Sequence, residues 1–457
     1  MRIMKFKNPS IACLIRNTLL LSLLVLISAC TGMAKYPENM RLEAVREMPS
    51  KRLTSSSNQD IFLLMAFSGG GTRASAMAYG VLKEFSRIQV GEAGSRHALI
   101  DEIDAISAVS GGSITAAYFG LFGKKIFDDF REGYLEKDVE KEIQRNIFSV
   151  DNLGWLLADS YGRGDLLAEY FKQELFGELP ISALLDRDGP YVQINATDLF
   201  RGIRFSFSKN QFDLICSDVE AFPVARAVAA SSAVPVIFNP LTLKNHAGTC
   251  DYKVPEWHMD ALLSPQKNPR RYREARRQAI YLQQKTKPYM HLVDGGLTDN
   301  LGLQPLNDRL VTGEGLWSLM KLLGQPKATK VILVVVDSSA YLPTKWDMSP
   351  DIPSFSAVID ATTSALINNA SFETLEYLRA HKDAWAEEAR VSRCREMEDC
   401  FPLDFKIVLF RLDDDNDLLR RERLLSLPTG FTLSPQQIND VIEATGEIVR
   451  RHPDMKF

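Results

Sequence analysis

The segment Ala108-Val109-Ser110-Gly111-Gly112 places a serine directly after an apolar run and directly before a helical pattern. Small neighbours let a chain turn sharply from strand to helix, so that the serine hydroxyl stands clear of the sheet. The helix that follows directs its N-terminus at this hydroxyl, where it favours developing negative charge. The pattern is typical of a nucleophile in acyl transfer, and it also fits a serine that only caps a helix.

A second stretch, "MAFSGGGTRASAMAYG" at residues 65–80, contains three consecutive glycines between an apolar run and another helical pattern. Bare backbone of this kind can offer N–H groups to a phosphate or to the oxyanion of a reacting ester. Residues 69–74 also satisfy the G-x-G-x-x-A dinucleotide pattern, with Glu92 near the distance expected of a ribose-binding acid. A Walker loop is excluded because no Gly-Lys-Ser/Thr follows.

The third stretch is Asp294-Gly295-Gly296, where an acid ends an apolar run and two glycines turn the chain away. Such a turn is often only an Asx turn.

In this order along the chain, the three stretches resemble the patatin-like phospholipase family. The family's pattern is a G-G-G-x-[RK]-G loop, a G-x-S-x-G turn and a D-G-[GA] acid. The stretch "AVAASSAVPVIFNPL" at 227–241 is similar to its A-x-x-A-S-x-A-x-P-x-x-F segment. The resemblance covers residues 60 to 340. It implies an α/β fold of three layers with a mainly parallel central sheet flanked by helices, and hydrolysis of membrane phospholipid esters without cofactor or metal.

Carried over by position, the resemblance implies that Ser110 is the nucleophile and Asp294 is its partner in a Ser–Asp dyad, where it accepts the serine's proton. An ordinary aspartate, with a pKa of about 3.9, is a weak base for a serine hydroxyl, so we expect burial to raise the pKa of Asp294. Arg73 matches the family's basic position, where its role is structural, and Gly112 supports the serine turn. The resemblance assigns the oxyanion hole to the backbone amides of Gly69, Gly70 and Gly71.

Two positions depart from the family's pattern. Ala74 and Ala108 stand where the family most often has glycine, and each adds a methyl group close to the site. We expect this to alter the details of the turns and not the activity.

Apolar runs alternate with helical patterns along the chain, as in a largely parallel sheet covered on both faces. The sequence predicts strands at 61–67, 103–109, 191–199, 291–296 and 331–337, and helices over 72–88 and from 113 onwards. Near the end, Ser434, Pro435 and Gln437 form a capping box that predicts the start of a helix. We expect one hydrolase domain over 59–457, with a helical C-terminal part.

The N-terminus has the pattern of an export signal. Four basic residues precede the apolar run "TLLLSLLVLIS" at 18–28, which is too short for a comfortable membrane span. The run leads into "LISAC", which resembles the lipobox of bacterial lipoproteins, with Cys30 as the acylated, palmitate-bearing N-terminus. The prediction is a signal peptide at 1–29, a tether at 30–58 and a lipid anchor at the outer membrane. An ordinary signal peptide or a short uncleaved anchor remain alternatives.

The net charge of −4 leaves no basic surplus of the kind that nucleic-acid binding requires. Within this acidic chain, a basic insertion near 258–290 concentrates cations at Arg270, Arg271, Arg273, Arg276, Arg277, Lys285 and Lys287. This insertion is either a solvated helix face or a surface that meets anionic lipid headgroups.

Four cysteines follow Cys30, and in an exported chain they permit disulfides in three pairings. A local bridge between Cys394 and Cys400 is the first expectation.

Three other functions fit parts of the sequence. An α/β-hydrolase esterase would pair Ser110 with an acid and a late histidine, His381 or His452. A lipid-anchored binding protein with a decayed site would share the fold without the activity. A nucleotide-binding protein would use the glycine loop, but the export signal weighs against it.

Overall fold

In the computed structural model, the described residues are 37–46 and 60–455, apart from 92, 93, 95, 148–161, 186–188, 313–314, 341–345, 347–348 and 398–399. The expected signal peptide, Cys30 and most of the expected tether lie outside them, as does Glu92. Those N-terminal expectations therefore remain predictions.

A single large sheet organises the described chain. Its strands are β1 (Ile61–Phe67), β4 (Ile103–Val109), β5 (Tyr191–Asp198), β6 (Ile203–Ser206), β7 (Leu241–Lys244), β8 (Tyr289–Asp294), β9 (Lys330–Asp337) and β10 (Asp404–Arg411). The spatial order is β10-β9-β1-β4-β5-β8-β7, with β6 also paired to β5. Two short strands, β2 (Gln89–Val90) and β3 (His97–Ala98), form a separate hairpin.

Five neighbouring strands, from β10 to β5, run parallel, whereas β8 pairs antiparallel with β5 and β7 antiparallel with β8. Residues 61–67, 103–109, 191–198 and 331–337 lie in strands as predicted. The mainly parallel α/β fold is confirmed. The antiparallel strand β8 matters for the site, because it brings residue 294 back to the edge where β4 ends.

Helices cover both faces of the sheet. In chain order they are α1 (Gly71–Phe85), α2 (Gly111–Phe122), α3 (Ile126–Phe130), α4 (Val139–Ile147), α5 (Arg163–Phe171), α6 (Ser182–Leu185), α7 (Lys209–Leu214), α8 (Val224–Ser232), α9 (Glu256–Leu263), α10 (Pro269–Tyr281), α11 (Gly296–Asp299), α12 (Gln304–Val311), α13 (Gly315–Leu322), α14 (Phe355–Glu396), α15 (Leu418–Leu425) and α16 (Pro435–Arg451). The predicted capping box is present at the start of α16. No helix of the described residues is both long and apolar enough to cross a membrane.

The alternation of side chains along β1 divides the core into two layers. Ile61, Leu63 and Met65 pack with α1, α2 and α16 on one face, whereas Phe62 and Leu64 pack with α13 and α14 on the other. Successive strand residues point to opposite faces, so a strand that is apolar throughout must be covered on both sides. The fold is therefore three-layered, as expected.

Disulfides join Cys394 to Cys400 and Cys216 to Cys250. The first bridge is the one expected from the sequence. The second links the segment after α7 to the loop before α9, and the sequence alone left this pairing open.

The basic insertion contains a helix, α10, but several of its cations are already engaged. Lys287 is buried and its Nζ lies 2.6 Å from Asp198, while Arg277 pairs with Glu274 at 3.6 Å. The Arg270 guanidinium lies 3.5 Å from the ring centre of Tyr377 on α14. The seven cations therefore do not form one solvated patch, although Arg270, Arg273, Arg276 and Lys285 keep exposed side chains.

Candidate active site

Ser110 lies at the turn between β4 and α2, with φ 50° and ψ −127°. A positive φ is strained for a residue with a side chain. Its backbone N–H donates to Ser231 Oγ at 2.8 Å, and Ser231 Oγ in turn donates to the Asn195 carbonyl at 2.6 Å. The hydroxyl of Ser231 therefore holds the turn in place.

The Ser110 hydroxyl donates to Asp294 Oδ2 at 2.6 Å. The other carboxylate oxygen, Oδ1, accepts the Gly296 N–H at 2.8 Å. Both side chains are buried, with Ser110 3% and Asp294 8% exposed. Burial raises the pKa of Asp294 to about 6, although the hydrogen bonds from Ser110 and Gly296 oppose this shift. The sequence expectation of a raised pKa agrees with this direction.

Hydrogen bonds from its own backbone hold the Asp294 loop next to Ser110. Asp294 N–H donates to the Ala233 carbonyl at 2.9 Å, and Gly295 N–H donates to the Ser231 carbonyl at 3.1 Å. A β-carbon on Gly295 would lie 2.4 Å from the Asn195 carbonyl oxygen, so only glycine allows this approach. The segment from α8 thus supports both the serine and the acid.

The glycine loop passes directly beside Ser110. A β-carbon on Gly69 would lie 3.3 Å from the β-carbon of Ser110. Gly70 is the N-cap of α1 and Gly71 is its first residue, and amides at these positions have no carbonyl of their own helix to bond. The N-termini of α1 and α2 therefore both lie at the serine, where their dipoles favour negative charge.

The three loop amides are not equivalent. Gly69 N–H donates to the Asn300 carbonyl at 2.9 Å, which commits it to the backbone. For the Gly70 and Gly71 amides, no backbone acceptor is found among the described residues. Gly111 and Gly112 open α2 and offer two further amides beside Ser110.

Arg73 bonds the backbone of two other segments. Its Nε donates to the Ser338 carbonyl at 2.8 Å and its guanidinium also donates to the Leu427 carbonyl at 2.5 Å. Burial lowers the pKa of Arg73 to about 10. The side chain connects α1 to the end of β9 and to the loop before α16, which agrees with a structural role.

The two alanines that depart from the family's pattern fit without disturbing the site. Ala74 and Ala108 are 2% and 0% exposed, and the hydrogen bond between Ser110 and Asp294 forms in their presence.

The histidines that an esterase triad would need lie elsewhere. His381 bonds the Tyr377 carbonyl and stacks on Trp385, whereas His452 packs edge-on against Phe410. His291, three residues before the acid, pairs with Thr242 Oγ1 at 3.2 Å. The partner of the Ser110 hydroxyl is instead a carboxylate.

Sequence reasoning missed Ser231, Asn195 and Asn300 as supports of the site. Ser231 lies within the stretch at 227–241 that carried part of the family resemblance, so a signal was present there. Asn195 and Asn300 gave none, because their backbone carbonyls accept from residues far away in the sequence. The Asn195 side chain also donates to the Ala108 carbonyl, just before the serine turn, at 3.2 Å. Within the described residues no cluster of three His, Cys, Asp or Glu side chains could hold a metal ion.

A family model for patatin-like phospholipase matches residues 65–307, more than half of the chain. The chain belongs to the patatin-like phospholipase family. The matched residues include the glycine loop, Ser110 and Asp294.

Three solved structures similar to this chain are of the human GIVD cytosolic phospholipase A2. The first is 12% identical with a TM-score of 0.46, and covers 88% of this chain and 63% of the enzyme. The other two contain methyl gamma-linolenyl fluorophosphonate, one of them with terbium chloride. They are 13% and 12% identical to this chain, and both have a TM-score of 0.42. Both cover 88% of this chain and 61% of the enzyme. This chain thus spans less than two thirds of that enzyme's length. No curated protein sequence matches the chain significantly.

Proposed function

We propose that this patatin-like protein is a lipid acyl hydrolase of the phospholipase A or lysophospholipase type, which cleaves carboxylic esters of membrane phospholipids through Ser110 and Asp294. The observation that carries the proposal is the 2.6 Å hydrogen bond from the Ser110 hydroxyl to a buried carboxylate. Family membership supplies the class of substrate.

In the first half of the reaction, Ser110 Oγ attacks the ester carbonyl carbon while its proton passes to Asp294 Oδ2. The amides of Gly70 and Gly71 stabilise the tetrahedral oxyanion, and losing one such donor typically lowers the rate about 10²–10³-fold. The intermediate collapses when the ester's alkoxide leaves with the proton from Asp294. The products are a free alcohol, such as a lysophospholipid, and an acyl-Ser110 ester.

In the second half, Asp294 accepts a proton from water, whose oxygen attacks the acyl carbonyl. The same amides hold the second oxyanion. When this intermediate collapses, the proton returns to Ser110 Oγ and a fatty acid leaves. A pKa of about 6 suits Asp294 to this exchange, because the carboxylate is ionised at neutral pH and still basic enough to accept a proton.

The test is mass spectrometry of the products that the purified chain forms from mixed phospholipids. We expect free fatty acid and lysophospholipid, with none from Ser110→Ala. A fluorophosphonate probe should label Ser110, and a binding protein with a decayed site would not react. Absence of both labelling and products in the folded wild-type chain would overturn the proposal.

We also propose that Cys30 carries the lipid anchor and that the protein resides at the bacterial outer membrane. The support is the N-terminal sequence alone: four basic residues, the apolar run at 18–28 and "LISAC". The full chain should fractionate with membranes, and Cys30→Ser should release it or leave an unprocessed precursor. Unchanged processing and membrane association of Cys30→Ser would count against the anchor.

A further inference from the structure

Helix α14 is far longer than the sheet it covers. Its 42 residues span about 63 Å at 1.5 Å per residue. Strand β9, which precedes it, has 8 residues and spans about 26 Å. More than half of the helix must therefore extend past the sheet.

The topology determines which end extends. Val336 of β9 pairs with Phe67 of β1, and Phe67 pairs with Ala108 of β4, so β9 ends at the same edge as Ser110. Strand β10 begins at the opposite edge, where Asp404 lies opposite Lys330. Helix α14 connects these strands, and it runs from the edge that holds Ser110 to the opposite one.

Burial along α14 agrees with this path. Its buried apolar side chains begin at Leu375 and continue through Leu378 to Trp385, within the core layer formed with α13. Among the side chains described between 355 and 374, none is buried. Residues 355–372 of α14, about 27 Å of helix, therefore lie on the side of the active site and bury none of their described side chains.

This extending half carries an apolar stripe. Phe355, Val358, Ile359 and Leu366 follow each other at helical spacing and are 83%, 47%, 36% and 66% exposed. The residues around them are mostly Ser, Thr, Ala and Asn, and Asp360 is the one charged residue among residues 355–372. Large exposed apolar side chains grouped on one face mark an interaction surface.

Two contacts connect the stripe to the rest of the active-site edge. Helix α11, which begins two residues after Asp294, packs against α14. Arg270 of the basic helix α10 lies over Tyr377, which follows Leu366 by eleven residues on α14. Helix α10, whose exposed cations include Arg273 and Arg276, thus contacts the helix that carries the stripe.

We infer that the apolar stripe of α14 docks this protein onto an anionic phospholipid bilayer, so that the edge bearing Ser110 faces the lipid. An apolar face that enters the interface beside cations that meet anionic headgroups is the general arrangement of interfacial helices. The inference rests on the proposed function for its choice of occupant. It gives the exposed cations of α10, a helix that contacts α14, a role in the same docking.

The first experiment compares turnover of vesicle phospholipid with turnover of a soluble short-chain ester by the full chain. The test variant is Ile359→Asp with Leu366→Asp. The matched control is Ala361→Asp with Ser364→Asp, which adds the same charge to exposed positions on the other side of the same helix. The ratio of vesicle to soluble-ester turnover should fall about tenfold or more in the test variant and stay near wild type in the control. Equal ratios in both variants would overturn the inference.

The second experiment does not depend on catalysis. In a Ser110→Ala background, the added tryptophan of Phe355→Trp should be quenched by brominated lipids in phosphatidylcholine–phosphatidylglycerol vesicles, and that of Ala361→Trp much less. Equal quenching would overturn the docking surface even if the enzyme is active. If the Phe355→Trp protein is quenched but the wild type turns over no lipid, the proposed function is wrong and the docking surface still stands. If the test variant has a different oligomeric state but an unchanged turnover ratio, the stripe is instead a contact with a second copy of the chain, and the inference fails.

Discussion

Gly111 contacts the backbone of Gly71 so closely that a β-carbon on Gly111 would lie 1.9 Å from the Gly71 carbonyl oxygen. The serine turn and the glycine loop therefore meet through bare backbone. This contact places the first amides of two helices around one hydroxyl. Glycine is required here by the close approach and not by flexibility.

The first prediction follows from this contact. Gly111→Ala must push the two loops apart, and such overpacking typically lowers the free energy of unfolding by about 1–3 kcal/mol. We expect ester hydrolysis to fall at least about a hundredfold, because both the nucleophile and its oxyanion donors shift. Urea titration and kcat on a soluble ester measure the two effects. As a control, Gly133→Ala adds a β-carbon that meets nothing within 4 Å, and both quantities should barely change.

The second prediction concerns Ser231. Ser231→Ala leaves the Ser110 N–H and the Asn195 carbonyl without their buried partner, which costs about 1–3 kcal/mol per group. Without that bond the strained turn at Ser110 should relax, and kcat should fall while KM changes little. The adjacent Ser232 is the matched control, because among the described residues its buried hydroxyl has no hydrogen-bond partner. If Ser232→Ala lowers kcat as much as Ser231→Ala, the supporting role of Ser231 is wrong.

The comparison of sequence with structure shows where local patterns suffice. The glycine loop, Ser110 and Asp294 could be found from the sequence because each lies where an apolar strand turns. Each is marked by a few consecutive residues: glycines, or a reactive side chain next to glycines. The loop amide of Gly69 could not be assigned correctly in this way, since its acceptor, Asn300, lies more than two hundred residues away. The exposed half of α14 was also missed, because its length only becomes informative once the short span of β9 is known.

The third prediction concerns pH. Burial raises the pKa of Asp294 to about 6, so protonation below that pH removes the base that Ser110 needs. The value of kcat/KM for a soluble ester should fall about tenfold per pH unit below pH 6 and be level above it. A level profile from pH 5 to pH 8 would contradict the assignment of Asp294 as the base.

The raised pKa of Asp294 also predicts how the free energy of unfolding changes with pH. A carboxyl whose folded pKa exceeds its unfolded value stabilises the fold when protonated and loses this contribution as the pH rises through the folded pKa. From a model value of 3.8 to about 6, the contribution amounts to about 3 kcal/mol. The free energy of unfolding of the wild type, relative to Asp294→Asn, should therefore increase from pH 8 to pH 4. The opposite slope in urea titrations would show that the ionised form of Asp294 is the stabilising one.

The fourth prediction separates Arg73 from the chemistry. Arg73→Gln removes hydrogen bonds to the Ser338 and Leu427 carbonyls and should lower the free energy of unfolding by about 1–3 kcal/mol. Because the guanidinium bonds these carbonyls and neither Ser110 nor Asp294, kcat per folded molecule should fall far less than in Gly111→Ala. A loss of kcat at unchanged stability would show that Arg73 acts on the reaction.

The last prediction tests whether Ser110 and Asp294 act as one unit. Asp294→Asn keeps the shape of the side chain but removes its basicity, so hydrolysis should collapse while the fold persists. Ser110→Ala should do the same, and the double variant should be scarcely worse than either single variant, because the effects of residues that act together are not additive. His291→Ala is the control, since His291 is three residues from the acid yet bonds Thr242. If His291→Ala abolishes turnover and Asp294→Asn leaves it largely intact, a histidine is the base and the mechanism proposed above fails.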